Sequence, residues 1–391
     1  MPDKSRRLRQ ELPDPALAAA VAGLLTLGVV MVFSASAPLA EEQVGSASHV
    51  VGRQVMYAVL GLAGATVCAL IPPERWRRLA PGILLAGLVA LVLVLIPGVG
   101  KEVNGAHRWL SLGVVRVQVA EVFKVAFVLY LASYLVRKGE ARLGTFSGGL
   151  LPILAIAGLS AGLLLAEPDF GSAAMVVGTG LVMGFLGGIR LRHLTAAALA
   201  ALPLAAWAVF GSEYRYERVV AFLDPWANPL SSGFQLRQSL IAFGRGEYTG
   251  VGLGDGIQKL FYLPEPHTDF IFAVIGEELG LLGTFGVLAL YGVLVQRGFT
   301  VAARAPDAYG RLVAQGLTFI IGFQALAHMG VNLGLLPTKG LTLPLVSYGG
   351  SSLVTTLGAM GILVSIDRAG RRSQPDTAAP AVPATAVGGT P

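Results

Sequence analysis

The stretch DFIFAVIGEELGLLGTFGVLALYGVLV, residues 269–295, decides the fold. Past its leading Asp it is almost wholly apolar, and longer than the roughly 20 residues a helix needs to cross a bilayer core of about 30 Å. Pro264 and Pro266 lie just before it and disfavour helix, so the span is expected to start at Phe270. A carboxylate, Asp269, therefore stands at the mouth of a membrane helix, with His267 two residues before it. Glu277 and Glu278 follow about two turns deeper. Ionisable groups at membrane depth cost about 2.5–3.5 kcal/mol each on insertion scales and usually face a polar cavity or a partner. Function is therefore sought around Gly250 to Gly280.

Working outward, the rest of the chain repeats the pattern. Of 391 residues 54% are hydrophobic and only 13% charged, where a soluble domain carries about 25% charge. Apolar runs are read as spans at about 16–33, 55–71, 79–99, 119–135, 150–166, 173–188, 195–210, 270–295, 312–334 and up to about 366. The first run is too long for a cleavable signal peptide. The expectation is an all-α polytopic membrane protein of about ten transmembrane helices. It divides into a polar segment 1–15, a membrane domain 16–368 and a disordered tail 369–391 rich in Pro, Ala and Thr. The Lys/Arg-rich segments at 1–15, 72–78, 137–142, 190–192, 297–311 and 368–372 alternate with acidic or mixed loops. By the positive-inside rule both termini are then cytoplasmic. Loop 98–116, the EPD turn (167–169), the long loop 212–268 and the PTKG loop (337–340) share the outer face. Net charge is +6, but the cations sit in short loops between spans, so nucleic acid is not expected as a partner. The single cysteine, Cys68, lies in an apolar run and excludes disulfides and Cys metal sites. The five histidines are scattered, no metal signature stands out, and no Walker or dinucleotide pattern occurs in context.

Each candidate group has two readings. Asp269 with His267 suits a general base at a hydrophobic–aqueous boundary, and equally an N-cap for the following helix. Glu121 and Lys124 stand three apart on one helix face; they suit an intramembrane ion pair or a cation for an anionic substrate. In NGAHRW, Trp109 suits a membrane-interface belt or a groove wall, and Arg108 suits a bidentate phosphate contact. Glu167 and Asp169 suit a capped turn or an acid pair. Arg215, Arg218, Arg237, Arg245 and Lys259 run against the positive-inside trend and suit headgroup contact or phosphate recognition. FQLRQSLIAF (234–243), which carries Gln235, is amphipathic and is expected to lie along the membrane surface. The small-residue run from Pro344 through Ser347 and Ser351 suits close helix packing or a cavity wall.

These segments resemble a known family. LPEPHTDFIFAVIGEELG, NGAHRWLSLG, FLDPW followed by SSGFQLRQSLIAFGRGE, and LPTKGLTLPLVSYGGSS are similar, in order and spacing, to the SEDS family (shape, elongation, division and sporulation) over about residues 15–368. FLDPW, IAFGRGE and GIQKLFYLPE look like its division branch rather than its elongation branch. The resemblance implies a peptidoglycan glycosyltransferase that joins lipid II units on the outer face of the inner membrane, at the septum. It places the proposed catalytic Asp at Asp269, the family Trp at Trp109, and the fourth-span Glu and Lys at Glu121 and Lys124. Arg108, Arg218, Gln235, Arg245, Lys259, His267, Ser347 and Ser351 complete the candidate substrate-binding set. Two departures stand out: QVAE (118–121) where the family often has QPSE, and EPDFG (167–171) where QPDLG is commoner. The leaving pyrophosphate needs cations, either loop arginines and Lys124 or a divalent ion (Mg²⁺ or Mn²⁺). The implied partners are lipid II, a class B penicillin-binding protein, other division membrane proteins and membrane lipid. A lipid flippase or a division scaffold are the competing classes.

Overall fold

The computed structural model describes residues 12–103, 106–113, 115–227, 233–260 and 262–373. Among these, nine helical segments of 20 to 34 residues are long and apolar enough to cross a membrane. A tenth apolar helix, α6 (Phe170–Leu186), has 17 residues, at the short end of spanning length. The chain is thus a polytopic helical membrane protein. The remaining long helices are α1 (Pro15–Val44), α2 (His49–Leu70), α3 (Pro73–Val94), α4 (Val119–Leu143), α5 (Leu151–Ala166), α7 (Leu191–Phe210), α10 (Ile271–Arg304), α11 (Ala308–Asn332) and α12 (Gly350–Ser373).

Local chemistry sets their ends. Asp14 accepts hydrogen bonds from the amides of Ala16 and Leu17, with Pro15 at the first helical position. α3 begins at Pro73, so Arg75, Arg77 and Arg78 lie on its first turns rather than in a loop. α12 runs on through Ser373, where Arg371 pairs with Asp367 at 2.6 Å. Residues 369–373 are therefore helical, not part of a tail; 374–391 lie outside the described residues, as does Asn104.

α4, α11 and α12 form the centre of the bundle, with 78%, 78% and 72% of their apolar windows buried. The outer helices bury far less; α7 buries 12% and exposes Leu199, Leu202, Leu204, Trp207 and Phe210. Such faces suit hydrocarbon, where apolar side chains carry no exposure penalty.

Three findings depart from the sequence reading. The polar loop after α3 is a three-stranded antiparallel sheet: β1 (Gly100–Val103), β2 (Ala106–Leu112) and β3 (Val115–Gln118), in the order β1-β2-β3. The long loop 212–268 contains two helices, α8 (Glu213–Leu223) and α9 (Phe234–Gly246). α9 does not lie on the surface as expected. It packs on α10, burying Leu236, Gln238, Ser239 and Ala242, and the Ser239 hydroxyl donates to the Asn332 carbonyl at 2.7 Å.

The third departure concerns α10, which is not continuous. Gly280 adopts φ 65°, ψ −160°, and splits a buried segment, 271–279, from the span proper. Interrupting a helix orphans backbone groups that lipid cannot satisfy. The irregular strap 247–252 satisfies them. Val251 and Gly252 donate to the carbonyls of Glu277 and Glu278, and Leu281 and Leu282 donate to those of Glu247 and Tyr248. The approach is so close that a Cβ on Gly280 would lie 2.3 Å from the Gly250 nitrogen.

Candidate active site

Asp269 stands immediately before α10, yet Phe270 is the N-cap residue and no side chain caps this helix. The capping reading of the carboxylate therefore fails. The segment is instead held by its backbone. Asn332, at the end of α11, donates to the Asp269 carbonyl at 3.0 Å and accepts from the Ala273 amide at 3.1 Å. Ser347 donates to the Thr268 carbonyl at 2.7 Å, and the Tyr348 amide donates to the His267 carbonyl at 2.9 Å. With its backbone fixed from three sides, the Asp269 side chain is left to the cavity beyond.

That cavity has a volume of about 650 Å³, within the range of about 300–1,000 Å³ usual for ligand pockets. Its walls are Arg108 of β2, the turn from Pro168 to Gly171, the α7–α8 corner with Arg215 and Arg218, Gln235 of α9, Glu265 with Asp269, and the loop Pro337 to Gly340. Four cations (Arg108, Arg215, Arg218 and Lys339) thus face three carboxylates (Asp169, Glu265 and Asp269). Two guanidinium groups are pinned to main chain on different walls. Arg108 donates to the carbonyls of Glu167 (2.9 Å) and Pro168 (2.6 Å), and Arg218 donates to that of Thr338 (3.0 Å). The Lys339 ammonium lies 4.7 Å from the centre of the Phe170 ring, a cation–π contact. Gly340 backs onto the carboxylate: a Cβ there would meet Asp269 Oδ2 at 3.3 Å.

Burial pushes the Asp269 acid up to about 7; the Glu265 charge adds to the rise, and Arg218 and Arg108 oppose it. Burial likewise pushes Glu167 up to about 8, helped by Asp169 and opposed by Arg108. Both Glu167 carboxyl oxygens are buried without a hydrogen-bond partner among the described residues, which suits a neutral acid. Asp169, by contrast, accepts from the Ser172 amide (2.9 Å) and hydroxyl (2.7 Å), so it caps α6 while it lines the cavity. Burial also lowers the His267 pKa, favouring neutral imidazole, and disfavours the charge on Lys339, which Asp169 partly restores.

Of the candidates named from the sequence, Asp269, Arg108, Asp169, Arg215, Arg218 and Gln235 come together at this cavity. The others do not line it. Trp109 neighbours Arg108 on β2, and successive strand residues point to opposite faces. Lys124 is buried between Glu121 (2.9 Å) and Gln324 (2.6 Å), and Gln324 in turn donates to the Thr342 carbonyl. This is the ion-pair reading: it ties α4 and α11 to the loop that carries Lys339. Lys259 is also buried, donating to Glu278 (2.7 Å), Ser34 (2.8 Å) and the Gly254 carbonyl (2.7 Å). Arg245 stands 3.5 Å from Glu277. Both cations therefore neutralise the acids at the α10 break. His267 packs its ring against Tyr348, with ring centres 5.5 Å apart. Ser347 fixes the 267–269 backbone, and Ser351 accepts from the Gln118 amide at 2.8 Å, tying α12 to the end of β3. The run Ser347–Ser352 is packing: a Cβ on Gly350 would lie 2.6 Å from the Tyr57 ring.

Sequence reasoning missed Lys339, Glu265 and Asn332. Lys339 was visible as a cation in a loop with two flanking turn formers, Pro337 and Gly340. Asn332 had one signal, a buried amide at the end of an apolar run. For a divalent ion the fit is poor. Among the described residues no group of three His, Cys, Asp or Glu side chains is placed to hold a metal, and both Asp169 oxygens are already engaged.

A multi-helix membrane protein with a charged cavity beside a broken helix, and a carboxylate of raised pKa at its wall, is an integral-membrane protein built to handle a polar, anionic ligand at the bilayer boundary. Its lineage is explicit. The model of the cell cycle protein family of FtsW, RodA and SpoVE matches residues 15–372, and the chain belongs to this SEDS family as a member of its FtsW branch. It is 49% identical over 368 residues to the probable peptidoglycan glycosyltransferase FtsW of Alkalilimnicola ehrlichii, covering 93% of this chain and 91% of that one. The counterpart of the same description from Nitrosococcus halophilus is 50% identical over 361 residues, covering 91% and 92%. Among solved structures, a chain of a peptidoglycan synthase complex that coordinates polymerization and crosslinking superposes with a TM-score of 0.76, at 33% identity over 91% of this chain and 98% of that one. The rod shape determining protein RodA of Thermus thermophilus superposes at 0.67, with 31% identity over 91% and 97%.

Proposed function

We propose that the chain is a peptidoglycan glycosyltransferase of septal wall synthesis, joining lipid II units into glycan strands, with Asp269 as general base. The observation that carries the assignment of the base is a carboxylate of pKa about 7 facing a cavity walled by four cations. A base works best when its pKa lies near the working pH. In the step, the Asp269 carboxylate takes the proton of the acceptor sugar hydroxyl. The freed oxygen attacks the anomeric carbon of the donor, and the bond from that carbon to the lipid pyrophosphate breaks. The electron pair leaves with the pyrophosphate, and a single displacement inverts the α-linked donor to a β linkage. Arg108, Arg215, Arg218 and Lys339 face the charge that develops on the leaving group. Donors fixed before the reaction stabilise such charge without reorganising, and Arg108 and Arg218 are fixed by their carbonyl contacts. Leu165, Val209 and Val219 supply an apolar side to the same cavity, where the first part of the polyprenyl tail leaves toward the bilayer.

The intramembrane charges that would serve a transport path pair off instead: Glu121 with Lys124, Glu277 with Arg245 and Glu278 with Lys259. That pairing favours the polymerase over the flippase. The partner is a class B penicillin-binding protein, in line with the synthase-complex chain that this fold superposes on; other division membrane proteins complete the assembly. The test is polymerisation of purified lipid II, with and without that partner, by wild type and Asp269→Asn. Loss of a positioned base costs about 10²–10⁴-fold, so strands are expected from wild type and a loss of that size from the variant. Full activity in Asp269→Asn would sink the assignment of the base. No strands from either protein, with the partner present, would favour translocation instead.

A further inference from the structure

At the other end of α3 lies a second cavity, which the reaction above does not use. Its volume is about 460 Å³, and it is lined by Arg77 and Arg78 on the first turns of α3, Arg137 on α4, Glu74, and Asp307 at the start of α11. We propose that this cleft binds the phosphate headgroup of an anionic membrane lipid, on the face that the positive-inside rule makes cytoplasmic.

Three guanidinium groups converge there on two carboxylates. Asp307 is already committed, accepting from the Gly310 amide at 2.8 Å as the cap of α11. Arg137 donates its Nε–H to the Ser133 carbonyl at 3.2 Å, which fixes its stem. Arg77 and Arg78 form no hydrogen bond or ion pair among the described residues. Arginine charges gathered in one cleft repel, and an anion held between them relieves that repulsion. The planar fork of arginine matches phosphate oxygens two at a time. Two residues beyond Asp307, the Tyr309 hydroxyl is buried without a hydrogen-bond partner among the described residues, and so is the Trp76 indole N–H. Both are hydrogen-bonding groups that the protein itself leaves unused at this end.

A lipid, rather than a soluble phosphate compound, is indicated by what continues from the cleft. Leu85, Val89 and Val92, further along the same face of α3, are 63%, 50% and 48% exposed. They prolong the arginine site as an apolar strip on a helix of membrane-spanning length. Basic pockets between helix ends on the cytoplasmic side are suited to anionic headgroups.

The test uses the full-length protein in zwitterionic nanodiscs. Phosphatidylglycerol is titrated in, with native mass spectrometry reading lipid adducts and thermal unfolding reading stabilisation by mass action. Wild type is compared with Arg77→Gln/Arg137→Gln and with Arg190→Gln/Arg192→Gln, which removes equal charge from the exposed α6–α7 turn. Loss of charge-assisted contacts predicts about tenfold weaker phosphatidylglycerol binding in the first variant and unchanged binding in the second. Arg77→Lys/Arg137→Lys covers the case in which the glutamine variant does not fold; it keeps the charge, loses the fork, and is expected to bind with intermediate strength. Equal binding by wild type and both cleft variants would overturn the site. Inorganic phosphate is the other arm. If it alone stabilises wild type and displaces the lipid at millimolar concentration, the lipid assignment is overturned in favour of a soluble phosphate compound.

Discussion

At Asp269 two opposing influences set the chemistry. Burial and the Glu265 charge raise its pKa, while Arg218 and Arg108 lower it, and the balance leaves it near 7. A base must be deprotonated to act, so polymerase activity is expected to rise with pH along an acid limb centred near 7 and to level off above it. Removing the Glu265 charge removes one raising influence. Glu265→Gln is therefore expected to move that limb to lower pH, measured as the pH dependence of kcat/KM on lipid II with the transpeptidase partner present. An unmoved limb would assign the titration to another group. The residues that make this balance were only partly legible. Asp269 was readable because a carboxylate at the mouth of an apolar run has few reasons to be there. Glu265 was not, since an acid among prolines in a polar loop gives no sign of the cavity it will line. Lys259 misled for the same reason in reverse. It reads as a free outer cation, but it is 5% exposed and locked to Glu278.

Among the elements, α10 shows where pattern reading reaches its limit. Its length and apolarity announced a span, and the span is there. The break at Gly280 left no periodic trace, because one glycine inside an apolar run also fits an unbroken helix. The strap 247–252 that heals the break is polar and glycine-rich, and reads as loop. The sheet β1–β3 was hidden likewise by its short strands. Gly280→Ala combines a left-handed backbone, costing about 1–2 kcal/mol for a residue with a Cβ, with a clash against Gly250. It is expected to destabilise by about 2–4 kcal/mol in total, read as a lowered Tm of the purified protein. The acid pair at the break gives a sharper test. Lys259→Met strands the Glu278 charge in the interior, at a cost of about 3–5 kcal/mol. Adding Glu278→Met removes that stranded charge, so the double variant is expected to be more stable than Lys259→Met alone. A double variant less stable than the single would show that the pair is not held by charge compensation.

For the whole molecule, two buried acids bias stability toward low pH. Asp269 and Glu167 have folded-state pKa values raised to about 7 and about 8, against ordinary carboxylates near 4. A raised acid binds its proton more tightly folded than unfolded, so its contribution is fully present below about pH 4 and is lost as pH rises through the folded value. Thermal stability is therefore expected to decline between about pH 4 and pH 8 by a share that Glu167→Gln abolishes at the alkaline end. The same variant restores the glutamine commoner in the family, and it is expected to fold. An unchanged slope in Glu167→Gln would show that the acid is not held neutral.

The clamp on the Asp269 segment also has a consequence for the order in which the chain is made. His267, Thr268 and Asp269 are held by Tyr348, Ser347 and Asn332, all of them later in the sequence, by 63 residues in the case of Asn332 and 79 in that of Ser347. The strap that heals the helix break, by contrast, lies within about one helix length of it and closes locally, as short-range contacts do first. A chain still being inserted can complete its broken helix, yet it lacks every group that fixes the Asp269 segment until the eleventh helix has entered and the loop after it has emerged. Synthesis itself thus withholds a finished site from an unfinished bundle, and a chain cut short before residue 332 carries its Asp269 on an untethered turn.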